Sequence, residues 1–395
     1  MDLLVDRQAD VRRIAVVTVG RSDYGIYRPL LRRLTTDPAF DVRIVAAAAH
    51  LSPELGRTIE FIERDGFAVA AQVEMSLDSD APEAVARSSG LGTIGFARAY
   101  ASLQPDIVLT LGDRFEMHAA VVAAVPLGVP VAHIHGGEAT EGAIDDLFRH
   151  SITKMSHLHF VATDAYARRV VQMGEEPWRV VVSGAPSLDA LRSIAPLDRE
   201  ALEARYGLSL EPPVVLVTFH PETRRLDDTE RHVCELLGAL DAVDGTVVIT
   251  APNADANRQL VFDRLRAFAR TRPSTWFVDT FGPDGYFSLM KLASVMVGNS
   301  SSGIIEAPSF ALPVVNIGDR QAGRLRAANV IDVAAERDAI LRSVRLALTP
   351  DFRASLAELR NPYGDGHASE RIAAKLAAAS LDHVFMTKRF YDLPA

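Results

Sequence analysis

Cysteine is nearly missing from this chain. One residue among 395, Cys234, cannot build a disulfide framework or a thiolate metal site. It lies in the helical pattern ERHVCELLGAL and is expected to be a small buried side chain. Long apolar runs are missing too: no stretch approaches the roughly 20 residues of a membrane span. The opening MDLLVDRQAD has neither the basic start nor the apolar core of a secretion signal, so a cytoplasmic protein without membrane association is expected. Positive charge is scarce. A formal net charge of -9 argues against a nucleic-acid partner, though not against one anionic ligand met by a few arginines. Solenoid repeats and low-complexity tracts are absent.

What is present reads as a globular enzyme, with 48% hydrophobic and 24% charged residues. The length suggests two domains. Apolar runs without alternation, the mark of strands covered on both faces, recur between helical patterns: IAVVTV, VRIVAAAA, DIVLTLG, PVAHIHGG, HLHFVAT and RVVVSG. After a lapse near residues 190–212 a second series follows: VVLVTFH, TVVITAPN, TWFVDT, SVMVGNS, PVVNIG and NVIDVA. The expected fold is α/β, two Rossmann-like doubly wound parallel-sheet domains facing a cleft. Their bounds are placed at 1–190 and 191–375, with a tail, 376–395, packing back on the first.

Ligands of such sheets bind beyond the carboxyl ends of the strands, and polar residues gather there. GRSDYG follows the first strand. It is not GxGxxG, which disfavours a nicotinamide dehydrogenase, but Arg21 could reach a phosphate; the plainer reading is a turn with Asp23 as helix cap. Asp113, in LGDRFE, is either an N-cap or a catalytic base. In HIHGGE, His133 and His135 lie toward the end of a strand, and His135, nearer that end, is the better candidate for the cleft, with Glu138 at the rim. Asp145 and Arg149 are four apart on one helix face, an ordinary ion pair or a proton-transfer group with its holder. His118, His133, His135, His150, His157 and His159 are spread without ligand spacing, so no metal is expected. In the second half, His220 in TFHPET comes right after the first strand. GNSSSGIIEAPSF offers Ser300, Ser301, Ser302 and Gly303 at a helix start, with Glu306 in its first turn and Arg320, Arg324 and Arg326 close by. That combination suits a nucleotide diphosphate.

Taken together, GRSDYG, LGDRFE, HIHGGE, GAIDDLFRHSITKMSHLHF, FHPET, GNSSSGIIEAPSF, NIGDRQAGR and the FYDLP ending resemble the hydrolysing UDP-N-acetylglucosamine 2-epimerases of nonulosonic acid biosynthesis. The resemblance runs from about residue 13 to the end. It implies a GT-B-like architecture, a UDP-sugar substrate, no cofactor, and a homodimer or homotetramer. It also implies that Asp113 and Asp145 are the catalytic carboxylates, with Arg149 and His220 beside them. Ser300, Ser301, Glu306 and Arg320, joined by Asn253, would bind the UDP portion, and Arg21 would lie near the phosphates. Many members carry a Glu where this chain has His135, so His135, Glu138 or the two together are expected to cover that role. The expected reaction releases UDP and N-acetylmannosamine from UDP-N-acetylglucosamine through a glycal. The same reaction on UDP-N,N'-diacetylbacillosamine is the rival, and a GT-B glycosyltransferase the more remote one.

Overall fold

The computed structural model describes residues 11–53, 56–75, 82–141, 143–252 and 257–393. Two compact units divide the chain, Met1–Gly137 with Leu147–Ala190 and Gly364–Ala395, and Glu138–Asp146 with Leu191–Tyr363. Among the described residues the first is built on seven strands: β1 (Arg12–Thr18), β2 (Phe40–Ala47), β3 (Val69–Val73), β4 (Ile107–Leu111), β5 (Val131–Ile134), β6 (Leu158–Val161) and β7 (Val180–Val182). The second has six: β8 (Val214–Thr218), β9 (Thr246–Thr250), β10 (Thr275–Val278), β11 (Val295–Gly298), β12 (Val314–Ile317) and β13 (Val330–Val333).

The sheets run β3-β2-β1-β4-β5-β6-β7 and β10-β9-β8-β11-β12-β13, and every recorded pairing is parallel. Each order reverses once, between β1 and β4 and between β8 and β11, where helices depart to opposite faces and leave a crevice at the strand ends. The inner strands match apolar runs of the sequence and have buried cores, while the edge strands β7, β10 and β13 are only partly buried. In the first unit the Arg21–Thr36 helix lays Tyr27, Leu30, Leu31 and Leu34 on the sheet, the spacing of one helical face. All four are fully buried, each worth roughly 1.5–3 kcal/mol. In the second, the Thr229–Asp241 helix buries Val233, Leu236 and Leu240. Cys234, one position round from Val233, is turned off that face and is exposed, not buried as expected.

β3 is the strand that the apolar runs did not reveal. It is an edge strand whose first four residues alternate between half-buried and exposed before buried Val73, so it has no unbroken run to show.

The return of the chain to the first unit starts at Gly364, whose φ of +127° and close approach to the Gly184 Cα suit a residue without Cβ. Asp189 then accepts from the N–H groups of Ala368 (2.9 Å) and Ser369 (2.5 Å), capping the Ala368–Ala378 helix from a distance in sequence. Further on, buried Arg179 donates to the carbonyls of Phe385 (2.8 Å) and Thr387 (3.1 Å). Fully buried Glu175 accepts from Lys154 (2.6 Å), Lys388 (2.8 Å) and His159 (2.9 Å). Burial pushes its carboxyl up, but these donors outweigh burial and hold it down at about 2.

Candidate active site

In the first unit, polar residues collect at the ends of β1, β4 and β5. β4 turns through Gly112 (φ +82°) into Asp113. The N-cap position of the next helix, Phe115–Ala124, is Arg114, which pairs with buried Glu116. Asp113 is therefore not that cap. Its Oδ2 instead takes a hydrogen bond from Arg149, a fully buried guanidinium on the Asp145–Met155 helix. Of the two acids opening that helix, Asp146 accepts from the Thr140 N–H at 2.7 Å, while Asp145 is half-buried.

His135 lies one residue beyond β5, so strand alternation does not govern it. Its φ is +67°, a left-handed conformation unusual for a side-chain-bearing residue, and its N–H donates to the Phe160 carbonyl at 3.0 Å. His133 is fully buried on the strand, and its Nε2 donates to the Gly112 carbonyl at 2.7 Å, tying β5 to the turn that carries Asp113. Gly137 (φ +75°) passes so close to the Tyr166 carbonyl that a Cβ would sit 2.5 Å from it.

Arg21 is exposed at the first position of its helix. Asp23 is not the cap of that helix. The cap position is Gly20, and Asp23 reaches back to the Val19 N–H (2.9 Å) and the Thr18 hydroxyl (2.8 Å). The same hydroxyl meets His50 Nε2 at 2.9 Å, and His50 Nδ1 meets Thr58. Burial raises the Asp23 carboxyl and lowers His50 to about 4, so this chain of contacts behind β1 favours neutral groups.

In the second unit the site residues follow β8, β11 and β12. His220 is buried just past β8, its peptide N–H and carbonyl both bonded to the Asn299 amide. The serines follow β11, with the Ser300 and Ser302 hydroxyls 3.3 Å apart. The helix they start is one turn long, Ser302–Ile305, and gives way to a 3-10 turn at Ala307–Phe310. Pro308 accounts for this: it has no N–H to continue the ladder and disfavours the α conformation before it. Glu306 consequently closes the short helix instead of lying in its first turn. Gly303 has a packing reason, since a Cβ there would lie 2.9 Å from Val314.

The arginines are also partly engaged. Arg326 pairs with Asp332 at 3.1 Å and Arg324 with Glu138 at 3.2 Å, while half-buried Arg320 donates to the Asn299 carbonyl at 3.4 Å. Glu138 thus belongs to the second unit and is 1% exposed, not at a rim. Asn253 lies outside the described residues. Residues that the sequence reading passed over include Asn299, Gln321 and Glu222. Glu222 is buried, accepts from the Asp319 N–H at 3.0 Å, and stands in FHPET, where only the His drew notice. Among the described residues no three His, Cys, Asp or Glu side chains cluster as metal ligands, and no helix is long and apolar enough to cross a membrane. Two grooves of about 520 and 530 Å³, one in each unit, are lined by neither Asp113 and Asp145 nor Ser300, Ser301 and Ser302.

Two Rossmann-like parallel sheets, each with polar residues gathered where its strand order reverses, define a GT-B-like protein. The chain belongs to the UDP-N-acetylglucosamine 2-epimerase family, whose description matches residues 32–377. It is 36% identical to the UDP-N,N'-diacetylbacillosamine 2-epimerase (hydrolyzing) of Legionella pneumophila, over 96% of this chain and 99% of that one. It is 38% identical to the GDP/UDP-N,N'-diacetylbacillosamine 2-epimerase (hydrolyzing) of Campylobacter jejuni, over 81% and 84%. The UDP-GlcNAc 2-epimerase of Neisseria meningitidis, solved bound to UDP-GlcNAc, shares the fold with a TM-score of 0.79 at 18% identity, over 92% and 99%.

Proposed function

We propose that the protein hydrolyses a UDP-2-acetamido sugar with inversion at C2, releasing UDP and the 2-epimeric free sugar. The observation that carries this reading is Asp113 at the end of β4, a carboxylate fixed by a buried arginine instead of capping its helix. The C2 hydrogen of such a sugar is not α to a carbonyl, so loss of UDP from C1 has to lead. As the C1–O bond breaks, oxocarbenium character acidifies C2–H, and a carboxylate takes the proton as general base. UDP and a glycal result. Water then adds its hydroxyl to C1, and a proton delivered to the opposite face of C2 completes the epimerisation.

Asp113 and Asp145 are the proton-transfer pair in this reading, with Arg149 orienting Asp113. Ser300, Ser301, Ser302, Glu306, Arg320 and His220 hold the UDP portion and its developing charge, with Asn253 and Arg21 as further contacts. The engagement of Glu138 by Arg324 supports His135, not Glu138, as the group standing where relatives have Glu.

Identities of 36 and 38% to two N,N'-diacetylbacillosamine enzymes favour UDP-N,N'-diacetylbacillosamine as substrate, giving 2,4-diacetamido-2,4,6-trideoxymannose, a precursor for legionaminic acid. The UDP-GlcNAc-bound Neisseria structure supports UDP-GlcNAc, giving N-acetylmannosamine, as the second reading. Each UDP-sugar is to be offered alone in D2O, with products followed by NMR. Release of UDP with one deuteron at C2 of the epimerised sugar is expected. A requirement for an acceptor, or hydrolysis without deuterium at C2, would overturn the proposal.

A further inference from the structure

Asn299 follows Gly298 at the end of β11 and is fully buried. Its Oδ1 accepts from the His220 N–H at 2.8 Å, and its Nδ2 donates to the His220 carbonyl at 2.9 Å. The last residue pair of β8 and β11 is Thr218 with Gly298, and the Asn299 N–H still reaches the Thr218 carbonyl at 3.1 Å. Beyond that point the two backbones no longer pair, and the amide side chain takes the place of the missing strand. The reach is short because Gly298 lets the strands close up: a Cβ there would lie 2.0 Å from the Thr218 carbonyl oxygen. The Asn299 carbonyl, in turn, accepts from Gln321 Nε2 at 2.9 Å and from Arg320 at 3.4 Å. One buried residue therefore meets the loops after β8 and β12 while leading into the serines after β11.

We infer that Asn299 is a positioning residue for nucleotide binding, setting His220 and Arg320 relative to Ser300–Ser302 without itself touching the ligand. The inference rests on the proposed assignment of His220 and Arg320 to the UDP portion. The chemistry calls for an amide. Aspartate could accept from the His220 N–H but would set a second oxygen against the His220 carbonyl, a contact tolerable only when the acid is protonated. Alanine and serine are too short to make both bonds.

The test is calorimetric titration of UDP into wild type, Asn299→Ala, His220→Ala, the double variant, and Asn299→Asp at pH 8 and pH 5.5. Asn299→Ala is expected to weaken UDP at least tenfold, and His220→Ala to weaken it as well. The double variant should bind about as weakly as the weaker single variant, because Asn299 acts through His220. Asn299→Asp should bind poorly relative to wild type at pH 8 and recover several-fold relative to wild type at pH 5.5. The acid rescue ties the effect to the donor facing the His220 carbonyl, the double variant separates positioning from a merely structural role, and the isosteric variant keeps the test open if Asn299→Ala folds poorly. Multiplying losses in the double variant, or an Asn299→Asp protein matching wild type at both pH values, would overturn the inference alone. Wild-type UDP affinity in His220→Ala would overturn the His220 assignment, and this inference with it.

Discussion

The Asp113–Arg149 pair is lopsided in its burial, and that makes its two halves unequal under mutation. The Arg149 side chain is 1% exposed and the Asp113 side chain 21%. Asp113→Ala takes a carboxylate from a guanidinium charge deep in the protein. Removing one partner of a buried pair in this way costs roughly 3–5 kcal/mol. Arg149→Met removes the buried charge and fills much of its volume. The carboxylate it leaves behind reaches water, so the loss is nearer one charge-assisted hydrogen bond, about 1.5 kcal/mol. The expected difference is roughly 2 kcal/mol, or about 4–8 °C in Tm for a unit of this size. Scanning calorimetry of both variants measures it, with Asp113→Ala the less stable. Turnover should fall in both, so only the order of stabilities tests the argument. An Arg149→Met protein as unstable as Asp113→Ala, or more so, would refute it.

At His135 the left-handed backbone (φ +67°) reverses the ordinary ranking of small residues. His135→Gly should be more stable than His135→Ala by about 1 kcal/mol in urea unfolding. The usual order, alanine above glycine, would show that the turn is not held there. Glu175, kept near 2 against an ordinary 4.5, contributes stability that is complete above pH 4.5 and lost as pH falls toward 2. The stability gap between wild type and Glu175→Gln should therefore be constant from pH 7 to 5 and narrow below 4.5. A gap that widens on acidification would contradict the sign of that shift.

Most of the parallel-sheet framework was legible in the sequence because its inner strands are covered on both faces and need unbroken apolar runs. β3 escaped for the converse reason, since an edge strand with alternating exposure has no such run. At the site, spacing pointed to the residues but not to their partners. The spacing of Arg149 from Asp145 gives no sign of its hydrogen bond to Asp113, thirty-six positions away, which forms because β4 and the Asp145–Met155 helix meet in the fold. Glu138 read as a rim residue because it follows two glycines; only the tertiary structure brings Arg324 against it. Asn299 stood beside three serines, and nothing local marks an amide whose two partners are the peptide groups of His220.

The segment Glu138–Asp146 belongs with the second unit although the chain on either side of it belongs with the first. The polypeptide thus changes units four times, after Gly137, Asp146, Ala190 and Tyr363. This governs how such genes can recombine. A hybrid exchanging only residues 191–363 with a relative would join a foreign Arg324 environment to the native Glu138, splitting a buried ion pair between two ancestries. A functional exchange of the second unit has to carry the short Glu138–Asp146 stretch with it. A single crossover near residue 190, where the linear sequence invites the cut, is expected to yield a protein at odds with itself at Glu138.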